Sequence, residues 1–331
     1  MTTAPPFASD LHALAEDVAL QWSAAGGTVE AFADIAVAAL ERSNLARTLT
    51  IDALCRYVAN ADTLPVQLDP ASTFGEPPVT LAIADGFHID AYLWVQPATA
   101  IHDHGFDGAF QVVDGVSLHS TFTFDGDDDL DAAVRCGTLS VEDNELLGPG
   151  TIRSIRSGQS FIHQVAHLPT PSLSLVVRTT DTIQTGHQYE YLFPGVAVAS
   201  SHGLTVVERR QLEVVSWAMR LGRPDHETLV TALVTKARPL LTAWLLRWVA
   251  GAGGAPALAA RAAGASPYPW VGPLLDGAAR EPTGRFLFDP DPASRLRWVA
   301  HHIGLNPTRI AELATELDRL RSTAAPPRRF T

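Results

Sequence analysis

His102-Asp103-His104, together with His163 much further along, is the arrangement in this chain best suited to chemistry. On a β-strand successive side chains point to opposite faces, so His102 and His104 share a side while Asp103 turns away. Two imidazoles on one face, joined by a third from a neighbouring strand, can hold one metal ion from three directions. Such a set leaves coordination positions open, as a catalytic metal requires and a structural one avoids. The spacing alone says little: with 12 histidines in 331 residues, chance gives roughly 0.4 His-x-His pairs. The weight falls on the surroundings. Ala100-Ile101-His102-Asp103-His104-Gly105 closes one strand, and a short loop follows. Phe110 to Val113 reads as the next strand and ends in a turn at Asp114-Gly115. Gly158 to Val165 places His163 just inside another strand.

These runs resemble the cupin superfamily and, within it, the thiol dioxygenases typified by cysteine dioxygenase. The resemblance spans roughly residues 75–195 and rests on Ile101 to His104, Phe110 to Gly115 and His163 to Val165. It implies a double-stranded β-helix, or jelly-roll, barrel. It also implies iron(II) held by His102, His104 and His163, and O2-dependent oxidation of a small molecule such as a thiol or amino-acid derivative. The departures are equally specific. Gly108 and Ala109 stand where the usual cupin glutamate would fall, and a carboxylate-free histidine triad is the thiol dioxygenases' own ligand set. The family's crosslinking cysteine is absent. Its Ser-x-His-x-Tyr strand reads Ser174, Val176, Arg178, and no arginine lies between Leu68 and Ile101 to bind a substrate carboxylate. The metal site carries over; the cysteine specificity does not.

Other residues divide by parity. In Phe87 to Val95, the residues Ile89, Ala91, Leu93 and Val95 form one apolar face; His88, Asp90, Tyr92 and Trp94 form the other. That mixed row suits a ligand cavity, or else a solvated sheet edge. Arg178 either clamps a substrate carboxylate or is the exposed end of its strand, and the exposed end is the preferred expectation. Arg178, Tyr92 and His88 are the candidate catalytic residues beside the three metal ligands. Gln111 and Gln164 flank the motif and could orient a histidine or a substrate. His119 reads as an exposed strand residue. His167 shares the parity of His163 but lies about 13 Å along the strand, which suits a rim or supporting position and not the same metal. His301-His302 read as the solvent-facing end of a helix.

The elements that must position these groups follow from pattern and composition. Helices are expected over Leu11–Ala24 capped by Ser9 or Asp10, over Val29–Ser43 capped by Thr28, and from Thr50 through Ile51–Ala59. After a Pro- and Gly-containing connector, Leu64 to Pro78, further strands are expected over Val79–Ala84, Phe87–Val95, Val116–Phe124, Thr151–Arg156, Ser160–Leu168, Leu173–Thr179 and His187–Phe193. Short strands so spaced favour a closed barrel or sandwich. Asp125 to Asp131 reads as a solvated hairpin tip, without the ligand spacing of a calcium loop. From Thr205 the chain is helical, with Pro239 interrupting and Asn306-Pro307 starting a helix to about Ser322. The reading is therefore a mainly β core with flanking α: residues 1–70 helical, 71–198 the barrel, and 199–331 helical and packed on it. A self-contained helical unit serving a homodimer is the alternative for that last part. The packed surface is expected to come from residues such as Val207, Leu212, Val215, Trp217, Leu240, Leu241 and Trp244.

Composition bounds the rest. Net charge −12 disfavours nucleic acid and anionic membrane surfaces as partners, and the apolar run at Leu240 to Leu246 is too short to span a bilayer. Cys55 and Cys136 are too few for a disulfide framework. With no basic n-region preceding an apolar stretch at the N-terminus, a cytoplasmic location is expected. One lysine, Lys236, among many arginines and alanines points to a GC-rich bacterial genome. The resulting expectation is a non-heme iron(II), O2-dependent oxidoreductase. The alternatives are a non-catalytic metal-binding or small-molecule-sensing cupin, or an isomerase or lyase using another metal.

Overall fold

The computed structural model describes residues 5–68, 78–96, 98–127, 133–180, 188–251, 253–281 and 291–323. Its strands are β1 (Val79–Ala84), β2 (Phe87–Trp94), β3 (Ile101–His104), β4 (Gly108–Asp114), β5 (Ser117–Asp127), β6 (Val134–Leu147), β7 (Ile152–Ile155), β8 (Gly158–His167), β9 (Ser172–Thr179), β10 (Tyr189–Leu192) and β11 (Val196–Ala199). They form a five-stranded sheet in the order β1-β2-β9-β4-β7 and a closed barrel in the order β10-β11-β6-β5-β8-β3. This is the expected jelly roll, with helices before and after it.

Two strands were not anticipated. β6 has charged and glycine residues spread through it and an irregular burial pattern, so no clean alternation marks it. β11, Val-Ala-Val-Ala, lies beyond the last expected strand, His187–Phe193. It is a barrel strand, hydrogen-bonded to both β10 and β6. Of the stretch Asp125 to Asp131, the first three residues belong to β5 and residues 128–131 lie outside the described residues, as do residues 69–77 of the first connector and His187.

The N-terminal helices Ala8–Ala24, Val29–Arg42, Leu45–Thr48 and Ile51–Asn60 cover one face of the five-stranded sheet. Phe7, Phe32, Leu40 and Leu45 pack there with Phe87, Ile89, Ala91, Ala109, Leu175 and Val177. Thr50 caps its helix by accepting from the Ala53 N–H, 3.1 Å away. The first helix begins at Ala8, before Ser9 and Asp10, neither of which caps it; Asp10 instead accepts from the Thr48 hydroxyl at 2.7 Å. Thr28 occupies its cap position without a side-chain bond. Because the helices take the Ile89–Ala91 side of β2, His88, Asp90, Tyr92 and Trp94 must face inward. All four are buried, so the ligand-cavity alternative holds and the solvated edge does not.

The later helices lie against the barrel. Leu240, Leu241, Leu245 and Val249 of helix Pro239–Ala250 pack with Leu192, Val196 and Val198. Leu296 and Val299 of Pro292–His302, and Leu313 and Leu317 of Pro307–Thr323, pack with Val116, Leu118, Leu146 and Ala166. Val207 and Trp217, expected in this packed surface, are 66% and 58% exposed. Helix Val206–Arg220 buries Val215 and Ala218 and turns its opposite stripe outward. Cys55 and Cys136 are both free thiols. Among the described residues, no helix is long and apolar enough to cross a membrane.

Leu245 is fully buried between barrel and helices. Leu245→Ala is expected to cost roughly 2–5 kcal/mol through lost contacts and an unfilled cavity. Urea denaturation followed by tryptophan fluorescence checks this, and a change under 1 kcal/mol would show the helices to be weakly docked.

Candidate metal centre

β3 lies antiparallel to β8 with His102 directly opposite His163. His104, two residues on, shares the face of His102, so three rings converge. Ring centroids are 4.6 Å apart for His102–His104, 4.7 Å for His102–His163 and 4.9 Å for His104–His163. One nitrogen from each falls within 4.8 Å of the others, and all three residues are buried. His102 Nδ1 is 2.9 Å from the Ala100 carbonyl and donates to it, which leaves the lone pair on Nε2. Burial pushes the His102 pKa down to about 4 and those of His104 and His163 well below the usual imidazole value. All three are therefore neutral, the form that binds metal. His104 Nε2 and His163 Nε2 stand 2.9 Å apart, where two facing lone pairs repel unless a proton or a cation lies between them. This donor set fits a divalent cation. Asp103 does turn away: it accepts from the Tyr189 N–H at 2.7 Å and the Tyr191 hydroxyl at 2.8 Å, and burial raises its pKa to about 6.

Nothing from the Gly108–Ala109 position can add a carboxylate. A Cβ built on Gly108 would sit 2.2 Å from the Val177 carbonyl oxygen, because β4 and β9 approach closely there. Ala109 faces the N-terminal helices.

His119 is a correction. Expected to be exposed, it is 2% exposed, and its Nε2 lies 3.0 Å from His163 Nδ1. Its Nδ1 is 3.2 Å from Glu145, which Arg153 grips with two hydrogen bonds and holds at a pKa of about 2. With Nε2 of His163 turned to a metal, His163 donates through Nδ1 to His119, and His119 donates to Glu145. One chain of bonds would thus set both tautomers. Over Ser117–Ser120 both faces of β5 are buried, so the polar row there is interior. Register was the missing signal: Thr121 sits across from His163, with His119 on the same side of the strand.

Arg178 is a second correction. It is not a free strand end: its side chain is 16% exposed and lines the cavity beside the triad. Nε donates to His88 Nε2 at 2.7 Å, the Asp90 carboxylate is 3.4 Å away, and the guanidinium lies 4.6 Å over the Phe106 ring. His88 and Tyr92 line the same cavity, and Tyr92 stacks on Trp94 with centroids 5.4 Å apart. His167 is deep in the wall and not at a rim. Trp94 stacks on it at 4.5 Å, and the Ser117 and Ser172 hydroxyls lie 3.0 and 2.9 Å from its Nδ1. It is not part of the metal-binding group. Gln111 and Gln164 both point away from the triad. Gln111 shares the parity of Ala109, and Gln164 donates to the Thr99 carbonyl beside a different cavity. His301 is exposed and His302 partly so, stacked on Trp298, near the expected helix end.

No family model matches the chain, and no curated protein matches it. Among solved structures the chain is similar to a cupin-2 domain protein from Shewanella frigidimarina, at 13% identity and TM-score 0.24, covering 38% of this chain and 91% of that one. It is similar to a hydroquinone 1,2-dioxygenase from Sphingomonas sp. TTNP3, at 10% identity and TM-score 0.25, covering 38% and 72%. A cupin superfamily protein from Desulfitobacterium hafniense stands at 12% identity and TM-score 0.22, covering 36% and 91%. The strand order given above establishes the fold independently of these likenesses.

Two outcomes are expected. His119→Phe should weaken divalent-metal binding by roughly 10–100-fold, read by chelator competition, because His163 loses the acceptor that orients it. Unchanged affinity would leave His119 as packing only. His167 supplies the other. Burial, assisted by Arg295, lowers its pKa to about 3. The unfolded chain takes up that proton near pH 6.5, so between these values it binds more protons than the folded one. Stability should then fall as pH falls through this window, by up to about 1.4 kcal/mol per pH unit from this residue. Urea titrations from pH 7 to 5 should show a shallower slope for His167→Gln; an unchanged slope would contradict the assignment.

Proposed function

We propose that this protein is a metal-dependent oxidoreductase that uses O2 to oxidise a small molecule within the barrel, with iron(II) on His102, His104 and His163. The observation that carries this reading is a buried, carboxylate-free group of three neutral imidazoles beside a cavity of about 400 Å3. The likeness of the ligand set to that of the thiol dioxygenases supports iron(II). When bound, such a metal supplies a redox centre with positions open for O2 and a substrate donor atom side by side. The chain's own residues do the rest. The Ala100 carbonyl and His119 orient two of the ligands, while Phe110, Val176 and Ile155 exclude water from the space beside them. Tyr92, His88 and Arg178 lie where they would border a bound substrate.

Protein loaded anaerobically with iron(II) is expected to hold about one metal per chain. His102→Ala, His104→Ala and His163→Ala should each lose it, with loss of O2 consumption measured against candidate thiols. Unchanged metal content in all three variants would overturn the site.

A further inference from the structure

Each charged side chain lining this cavity has an opposite charge of the chain beside it. Among the described residues lining it, the ionisable groups besides the Tyr92 phenol are seven side chains: the three histidines of the triad, which bind a cation only as neutral rings, His88 and His167, which are bound to neighbours, and Arg178 and Glu190. Arg178 has Asp90, 1% exposed, as its counter-charge at 3.4 Å. Glu190 accepts from Arg247 at 2.7 Å, and Arg247 also donates to Glu281, so that group carries one negative charge in excess. The arginine that the sequence offered as a carboxylate clamp therefore lies beside a carboxylate of the wall, at ion-pair distance and without a hydrogen bond to it. The remaining polar lining is neutral, including Thr99, Ser174 and Thr179, and the walls are aromatic or branched aliphatic, with Trp94, Phe110 and Val176 among them.

We infer that this cavity takes a molecule with an uncharged, apolar body and one acidic S–H or O–H group that reaches the metal, and that it discriminates against the same body bearing a carboxylate. The inference rests on the metal reading above for the acidic group alone. A dication held by three imidazoles would have no anionic ligand among the described residues, so a thiolate or phenolate matches it. A second anion on the ligand would be desolvated against apolar walls whose described cation, Arg178, already has the Asp90 carboxylate beside it. A free amino acid such as cysteine fails on the same ground.

The test compares benzenethiol with 3- and 4-sulfanylbenzoate on the cobalt(II)-loaded protein, following the thiolate-to-cobalt absorption. Benzenethiol is expected to bind at least about tenfold tighter than either acid. Equal or tighter binding of an acid would overturn the inference. In Asp90→Asn, Arg178 loses its counter-charge and the ratio should shrink or invert; an unchanged ratio would refute the compensation by Asp90. A metal-independent arm uses 19F NMR of the metal-free protein with 4-fluorophenol and 4-fluorobenzoate. Broadening of the phenol alone supports the inference, and broadening of the benzoate to the same degree overturns it. Failure of the protein to take up cobalt at all would instead strike the metal reading, and the fluorinated pair would still decide this one.

Discussion

The register of β3 on β8 is the constraint on which the site depends. It sets His102 across from His163 and brings His104 round to the same pocket. A slip of one residue would send His102 and His104 outward and bring Asp103 in, because side chains alternate along a strand. The same alternation keeps Asp103 on the far side, where Tyr189 and Tyr191 satisfy its carboxylate. Geometry and electrostatics thus agree. Burying three imidazoles together keeps them unprotonated, and removing the acid from their face leaves a neutral ligand set.

Around that pair of strands the molecule is organised by which face each layer covers. The N-terminal helices pack on Ile89, Ala91 and Val177, which commits His88, Asp90 and Arg178 to the interior. Three ionisable groups in a dry space are tolerable only together. Asp90 lies 3.4 Å from Arg178, so the guanidinium has a counter-charge within the wall. The later helices cover the opposite barrel strands, and Arg247 reaches from Pro239–Ala250 to Glu190, the residue paired across from His102. Apolar contact and the Glu190–Arg247 ion pair therefore join those helices to the strand beside the histidine triad.

A great deal of this was legible in the residues alone. The spacing of His102 and His104, the parity of β2, the Thr50 cap and the proline breaks are local signals, set by neighbours a few positions apart. They indicate strands, helices and a row of polar side chains on one face, whatever the rest of the chain does. What they leave open is which layer covers which face. His119 and Arg178 read as exposed because a polar residue near a strand end usually meets water. Both are interior because helices and facing strands close over them. β6 lacked alternation because it is buried irregularly and β11 because it is buried on both faces, so pairing alone made them strands. The partners that decide the chemistry lie far away in sequence: Glu145 for His119, Asp90 for Arg178 and Val177 against Gly108. Sequence determined the residue types and their local faces; tertiary packing decided which were dried, paired and brought together, because burial and charge compensation depend on distant contacts that no local pattern encodes.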